Sequence, residues 1–186
     1  MKPTAATKTR LASFGSAAVR DASIMNASVS APAPVVGAPF EVPSSWIDHN
    51  EHMNLARYAD AFYIGARQLS DALGFTREFK ERTETASFAA NLSIAYRREV
   101  RAGMDLRVES RIIGYDTKRI HSWHELVLHD DTIAATGELL GLNISTATRR
   151  VSDMPSEALA RLEELFAEHE QLPQPDGVSR SISLDT

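Results

Sequence analysis

An early stretch of the chain carries apolar residues at the spacing of an α-helix. They fall on one face, while charged residues such as Arg57, Asp60 and Asp71 occupy much of the other. Gly74 then supplies a stop signal, because glycine readily adopts the left-handed conformation that ends helices. The pattern predicts one amphipathic helix whose apolar stripe consists of Leu55, Tyr58, Ala59, Phe62, Ala66, Leu69 and Leu73.

After a charged connection over residues 76–85, the period changes from helical to alternating, which is typical of half-buried β-strands. The first long strand is predicted from five side chains that alternate onto one face: Phe88, Ala90, Leu92, Ile94 and Tyr96. Three more predicted strands cover residues 106–112, 120–128 and 133–144, with turns at Gly103, at Asp116 and at Asp130. Because the connections are short, consecutive strands are expected to pair antiparallel.

One long helix followed by antiparallel strands indicates an α+β fold in which the sheet covers the helix. A short strand at residues 40–42 precedes that helix, and Pro155 opens a final amphipathic helix. The alternative is some other antiparallel sheet with a packed helix. We expect one domain over residues 39–170, a disordered extension over 1–38 that is rich in Ala, Ser, Thr and Pro, and a mobile tail over 171–186.

Composition narrows the classes of function. The chain has 186 residues, a net charge of −5 and no cysteine, which argues against broad nucleic-acid binding and excludes disulfides and thiolate sites. No apolar run approaches the length of a membrane span, so a soluble, cytoplasmic protein without a membrane partner is expected. His121, His124 and His129 have no consistent ligand spacing, so neither a metal nor another cofactor is expected.

The segment from Trp46 to Asn54 gathers polar groups directly before the predicted helix. Asp48, Asn50 and His52 lie two residues apart, and Asn54 occupies the position of a helix N-cap. A carboxylate beside the free N–H groups of a helix start is an arrangement suited to acyl transfer, in which an oxyanion must be stabilised. The alternative is purely structural, because Asp and Asn readily form turns through their own side chains.

Four segments carry a family resemblance. The pattern D-x-N-x-H-M-N at residues 48–54, followed by a helix with Tyr58, resembles hot-dog-fold thioesterases. Further matches are Y-R-R-E-V at 96–100, D-T-K-R-I-H at 116–121 and A-A-T-G-E at 134–138. Together they resemble the betainyl-CoA thioesterase group of carnitine breakdown, over about residues 39–144. Glu51 departs from the pattern, because many relatives have glycine there; its charge next to Asp48 could raise the pKa of that carboxylate.

The resemblance implies a sheet curled around a central helix, a homodimer or homotetramer with sites between subunits, and hydrolysis of a small acyl-CoA such as betainyl-CoA. By the same resemblance, Asp48 is the nucleophile or the general base, and the backbone N–H of Leu55 belongs to the oxyanion hole, with the N–H of Ala56 as a second candidate. Asn50, His52 and Asn54 are expected to position the carboxylate, the water molecule and the loop. Asn50 and His52 are also candidates for direct participation.

Substrate-binding residues follow from the chemistry of the ligand. Coenzyme A is anionic, and the cations near the matched strand ends are Arg97, Lys118 and Arg119, with Arg98 and Arg101 beside them. A quaternary ammonium prefers aromatic faces, for which the candidates are Trp46, Tyr58, Phe62 and Phe88, with Tyr63 and Trp123 as further aromatics. The alternatives are a charged strand edge that resists aggregation and aromatics that only fill the core.

Other assignments stay open from sequence. Some hot-dog thioesterases carry the acid on the central helix, which makes Asp60 and Asp71 rivals of Asp48, although helix acids usually face water. The activity could extend to other acyl-CoA or acyl-carrier-protein thioesters. A non-catalytic acyl-CoA-binding protein on the same fold is the alternative from another class, because fold alone does not fix function.

Overall fold

The computed structural model describes residues 31–178 together with 182 and 184. The strands are β1 (Val35–Val36), β2 (Phe40–Glu41), β3 (Thr85–Tyr96), β4 (Asp105–Tyr115), β5 (Arg119–Leu128) and β6 (Ile133–Ser145). The helices are α1 (Leu55–Ala72), α2 (Arg77–Arg82) and α3 (Ser156–His169), with a 3₁₀ turn at Ser44–Trp46. The order of one early helix, four long strands and a final helix agrees with the α+β prediction. No described helix is both long and apolar enough to cross a membrane.

The strands form one antiparallel sheet in the order β1-β4-β5-β6-β3, and β2 also pairs with β4. The expected pairing of β3 with β4 is wrong: β3 pairs with β6 along its whole length, from Thr85 to Tyr96. The segment between β3 and β4 crosses the end of the sheet, where the N–H groups of Arg97 and Arg98 donate to the carbonyl of Ala134. A short connection therefore links strands at opposite sides of the sheet.

Helix α1 packs on β4 and β5, and its buried face consists of Tyr58, Ala61, Phe62, Gly65 and Leu69. Gly65 permits the close approach, because a Cβ atom there would lie 2.3 Å from Cγ1 of Val108. The predicted apolar stripe is wrong at its first residue, since Leu55, at the N-terminal end of the helix, is 69% exposed. The end of the helix is as predicted, with Gly74 at φ +69°.

The charged connection expected over residues 76–85 contains a helix, α2. The side chain of Thr76 accepts a hydrogen bond from the N–H of Phe79 at 3.2 Å and so caps the first turn. Phe79 is buried and stacks on Phe75 with 5.4 Å between the ring centroids. A single buried aromatic residue in a charged segment does not produce the periodic pattern from which a helix is predicted.

A β-bulge between Ala89 and Asn91 interrupts the alternation predicted for the first long strand. Phe88 pairs with Leu142 and Leu92 pairs with Leu139. Leu142 and Leu139 are three residues apart on β6, so their side chains point to opposite faces of the sheet. Phe88 therefore lies on the opposite face from Leu92. The single continuous face predicted from Phe88 to Tyr96 is therefore wrong at its first residue.

The chain ends contact the sheet. Strand β1 lies inside the segment for which the sequence predicts a disordered extension, and it pairs with Ser110 and Glu109 of β4. Residues 1–30 of that extension lie outside the described residues. In the predicted tail, the carbonyl of Pro173 accepts a hydrogen bond of 2.6 Å from Arg111. Helix α3 follows Pro155 as predicted and buries Leu162 beside the end of α1.

Candidate active site

The loop before α1 is a tight turn closed by main-chain hydrogen bonds. Ile47 and Met53 form a β-bridge, and the N–H of Asp48 donates to the carbonyl of His52 at 3.0 Å. The carboxylate oxygen Oδ1 of Asp48 accepts from the N–H of Asn50 at 2.8 Å. The structural alternative, an Asx turn, is thus present. The other oxygen of Asp48 has no hydrogen-bond donor within the described part of the chain.

Glu51 occupies the position where the family pattern favours glycine, and its backbone explains that preference. Its φ of +65° lies in the left-handed region, which costs a non-glycine residue about 1–2 kcal/mol. The side chain is exposed, and the N–H donates to the carbonyl of Asp48 at 3.0 Å. The turn therefore holds Glu51 in a backbone conformation that suits glycine better.

The first turn of α1 leaves one backbone donor available. The side chain of Asn54 accepts from the N–H of Ala56 at 3.0 Å, which confirms the predicted N-cap. The N–H of Arg57 donates to the carbonyl of Asn54 at 2.8 Å. The N–H of Leu55 has no acceptor among the described residues, whereas that of Ala56 is occupied by the cap. Leu55 is therefore the better candidate for an oxyanion donor.

The Y-R-R-E-V segment lies against this loop, although it is far away in sequence. The N–H of Met53 donates to the carbonyl of Val100 at 2.7 Å. Beside this contact, Nε2 of half-buried His52 lies 3.0 Å from Oε2 of Glu99, which also contacts Arg101 at 3.4 Å. Glu99 belongs to the matched Y-R-R-E-V segment, but no local feature of the sequence links it to His52.

Tyr58 lies under the same segment. It is buried, its hydroxyl donates to the carbonyl of Arg98 at 3.5 Å, and its ring packs edge-on against Tyr96 at 4.9 Å. Burial, followed by the charges of Tyr96 and Glu99, raises the pKa of Tyr58 above its usual value. At neutral pH the hydroxyl of Tyr58 is therefore protonated and donates a hydrogen bond. Its contacts are mainly structural.

A cleft of about 990 Å³ runs between α1 and β3. Its wall on α1 begins at Ala59, one turn after Leu55, and continues over Phe62 and Ala66. Phe88 borders it from β3. The Asp48 loop is not part of its lining in the single chain. Trp46 does not line the cleft either. Its ring packs edge-on against Phe40, with 6.0 Å between the ring centroids, beside the hydrophobic core. This agrees with the alternative that the aromatic candidates fill the core.

The predicted phosphate ligands are not gathered beside the loop. Arg119 binds Asp116 at 2.7 Å, and Lys118 lies 3.9 Å from Asp153. Through the pairing of β5, β6 and β3, Arg119 aligns with Phe88. Eight residues separate Phe88 from Tyr96 at the loop end, a length of about 26 Å along a strand. Arg97 is nearer to the loop, and its guanidinium donates to the carbonyl of Asp176 at 3.4 Å.

The rival carboxylates on α1 have different surroundings from Asp48. Asp60 is exposed and forms an ion pair of 2.8 Å with Arg57, which is the solvated arrangement expected for a helix acid. Asp71 lines the cleft near the far end of the helix. Neither lies at the first turn of α1, where the available backbone donor is located.

Residues 42–162 match the family model of the thioesterase-like superfamily. The chain belongs to this superfamily. A betainyl-CoA thioesterase of Pseudomonas aeruginosa is 30% identical over 148 residues, which cover 78% of this chain and 93% of the relative. An L-carnitine dehydrogenase/betainyl-CoA thioesterase of Agrobacterium fabrum is 31% identical over 141 residues, which cover 76% of this chain but only 29% of the relative.

A solved structure gives independent support for the fold. A hypothetical protein from Staphylococcus aureus in complex with CoA superimposes with a TM-score of 0.75 at 24% identity, covering 83% of this chain and 97% of that chain. Together with the family match, this similarity confirms the hot-dog thioesterase fold and the family expected from sequence.

Two of the segments that carry the family resemblance meet in the interior. His121 and Glu138 are buried, and Nε2 of His121 lies 2.7 Å from Oε1 of Glu138. His124 is fully buried between the hydroxyls of Ser110 and Ser122, at 2.8 and 2.9 Å. Burial lowers the pKa of His124 to about 4. No group of three or more acidic, His or Cys residues suited to a metal ion occurs among the residues described.

Proposed function

We propose that this chain hydrolyses the thioester of a small acyl-CoA to the free acid and CoA. The observation that carries the proposal is the juxtaposition of the Asp48 turn with the unoccupied N–H of Leu55 at the start of α1. The positive end of the helix dipole adds to the attraction for an oxyanion at this position. The family match and the names of the relatives support the same reaction class.

In the proposed reaction, the thioester carbonyl oxygen accepts a hydrogen bond from the N–H of Leu55 as it gains negative charge. Asp48 then acts by one of two routes. As a general base it takes a proton from water, and the resulting hydroxide attacks the carbonyl carbon. As a nucleophile it forms a mixed anhydride, which water later hydrolyses. In both routes the C–S bond breaks and CoA leaves as a thiolate that gains a proton.

The neighbouring polar groups support the reacting atoms. Asn50 holds Oδ1 of Asp48 through its backbone N–H, and Asn54 fixes the first turn of the helix. His52 contacts Glu99 at 3.0 Å, so its imidazole is held at the edge of the loop. We propose that these groups orient the carboxylate and the attacking water, with His52 as the one best placed for proton transfer.

We propose a homodimer as the working unit, with a tetramer as the larger form. Strand β3 is the edge of the sheet over 12 residues, and it exposes 47% of Phe88 and 52% of Tyr96. A long exposed edge with apolar side chains is normally paired or covered. Pairing of β3 with a second copy would place another subunit over the cleft. Size measurement in solution tests the assembly, and cell fractionation tests the predicted cytoplasmic location.

The acyl group proposed is betainyl, following the names of two relatives. The aromatic candidates that border the cleft, Phe62 and Phe88, lie beyond the first turn of α1, and Phe88 lies about 26 Å along β3 from the loop end. The proposal of a betainyl group therefore rests on these relatives and not on the two rings. Thiol release from betainyl-CoA should exceed that from a straight-chain acyl-CoA of similar size. An equal or reversed preference would refute the betainyl assignment and retain the broader acyl-CoA or acyl-carrier-protein activity.

The role of Asp48 is tested by Asp48→Asn, with Asp60→Asn as the matched control on the exposed side of α1. The amide can keep the turn but supplies neither a base nor a nucleophile, so turnover should fall about 1,000-fold or more. The control should keep nearly normal turnover. If Asp48→Asn retains normal turnover, the residue is only a turn former. If the wild-type protein binds acyl-CoA without releasing thiol, the alternative of a non-catalytic binding protein is correct.

A further inference from the structure

The far end of the cleft carries two cations without an ion-pair partner. Arg67 lies on α1 and Lys80 on α2, and both line the cleft. Nζ of Lys80 donates to the hydroxyl of Ser70 at 3.2 Å, and the neighbouring Tyr63 side chain raises the pKa of Arg67. Neither cation has a carboxylate within ion-pair distance in the described part of the chain. This differs from Arg77 at the same rim, whose guanidinium binds a neighbouring glutamate at 2.7 Å.

The two cations act on each other in the free protein. Burial, followed by the positive charge of Arg67, lowers the pKa of Lys80. Asp71 also faces both groups and favours their charged forms, but it forms no ion pair with either one among the described residues. An anion bound between Arg67 and Lys80 would remove this repulsion, and phosphate is well suited to both side chains.

The distance along α1 from Leu55 to Arg67 is similar to the length of the pantetheine arm of CoA. Arg67 follows Leu55 by twelve residues, or about 18 Å along a helix that rises 1.5 Å per residue. Thirteen bonds separate the sulfur of CoA from its nearest phosphorus atom. At about 3.5 Å for each three bonds, an extended chain of this length reaches about 15 Å. Between the two ends, the cleft is lined mainly by apolar residues, including Ala59, Ala66 and Leu92.

Resting on the proposed function, we propose that Arg67 and Lys80 bind the phosphates of CoA while its pantetheine arm lies along the cleft between α1 and β3. This assigns the phosphates to residues that sequence reasoning did not consider. It also leaves Lys118 and Arg119 with the carboxylates that they already contact. Arg97 remains a candidate nearer to the Asp48 loop.

The experiment compares Arg67→Ala and Lys80→Ala with the control Arg82→Ala. Arg82 is a cation on the same helix as Lys80, but it pairs with Glu157 at 2.8 Å and does not line the cleft. Each protein is assayed with an acyl-CoA and with the same acyl group on pantetheine, which has no phosphate. Loss of one charged hydrogen bond should raise KM for acyl-CoA about tenfold or more. KM for acyl-pantetheine and the values for Arg82→Ala should remain unchanged.

An unchanged KM for acyl-CoA in both cleft variants would overturn the phosphate site. An equal rise for both substrates would do the same, because it would show damage unrelated to phosphate. If the wild-type protein releases no thiol from any substrate, calorimetry with CoA alone still decides the question. A tenfold loss of CoA affinity in the cleft variants supports the site without catalysis, and unaltered affinity refutes it.

Discussion

The buried imidazole of His124 predicts a specific acid sensitivity of the fold. Both ring nitrogens are hydrogen-bonded to serine hydroxyls, and no carboxylate of the described residues is a hydrogen-bond partner of this imidazole. Because burial lowers its pKa to about 4, the folded protein keeps His124 neutral between pH 4 and pH 6.5. An unfolded chain takes up a proton in this range, since an exposed histidine has a pKa of about 6.5. Falling pH therefore favours unfolding in this window.

The magnitude follows from linkage, at about 1.36 kcal/mol for each pH unit below 6.5. At pH 4.5 the free energy of unfolding should have fallen by roughly 2–3 kcal/mol through His124 alone. Above pH 6.5 the imidazole is neutral in both states, so this contribution disappears. His124→Gln removes the titrating group and keeps an amide that can bond to a serine hydroxyl. The variant can be less stable than the wild type at pH 7.5, but the free energy of unfolding that it loses on acidification should be roughly 2–3 kcal/mol smaller than in the wild type.

The assay is urea unfolding followed by tryptophan fluorescence at pH 7.5 and pH 4.5, at one fixed protein concentration because assembly stabilises the folded state. The control is His129→Gln. His129 is exposed, so replacing it should leave the pH dependence of the wild type. If His124→Gln and the wild type lose the same free energy between the two pH values, the imidazole is hydrated or charged in the folded protein. The assignment of a dry, neutral His124 would then be wrong.

Three further changes test local features. Glu51→Gly should raise the free energy of unfolding by up to about 1 kcal/mol, because it relieves the left-handed backbone; an equal or lower urea midpoint would contradict this reasoning. Gly65→Ala should lower it by about 1–3 kcal/mol, because the new methyl group would overlap Val108; a normal melting temperature would show that α1 can shift. Glu138→Ala should cost about 1–3 kcal/mol by leaving buried His121 without this hydrogen bond; unaltered urea unfolding would oppose that role.

The elements with a strong local pattern could be predicted from sequence. Helix α1, the strand β4 and the turn at Gly103 all follow from periodicity and from the backbone freedom of glycine. The N-cap at Asn54 could also be predicted from sequence, because capping depends on residues within one turn. These features need no knowledge of distant parts of the chain.

The features that were missed depend on distant partners. The place of β3 beside β6 is decided by the path of the chain across the sheet, which loop length does not reveal. The contact of His52 with Glu99 requires two segments to meet in space. The bulge after Ala89 changes the face of Phe88 without any proline or glycine to mark it. Lys80 was missed because α2 was predicted as a charged connection, and Arg67 because nothing local distinguishes it from the other charged residues on the polar face of α1.

The hydrogen bond from Met53 to Val100 has a consequence for how this region can diverge. Both atoms belong to the main chain, so any substitution except proline at position 53 leaves the bond chemically intact. An inserted or deleted residue would move the donor or the acceptor out of register. The bond therefore restricts the number of residues on each side, while the burial of Met53 and Val100 in the core restricts their kind. A length change on one side should be accompanied by a change on the other.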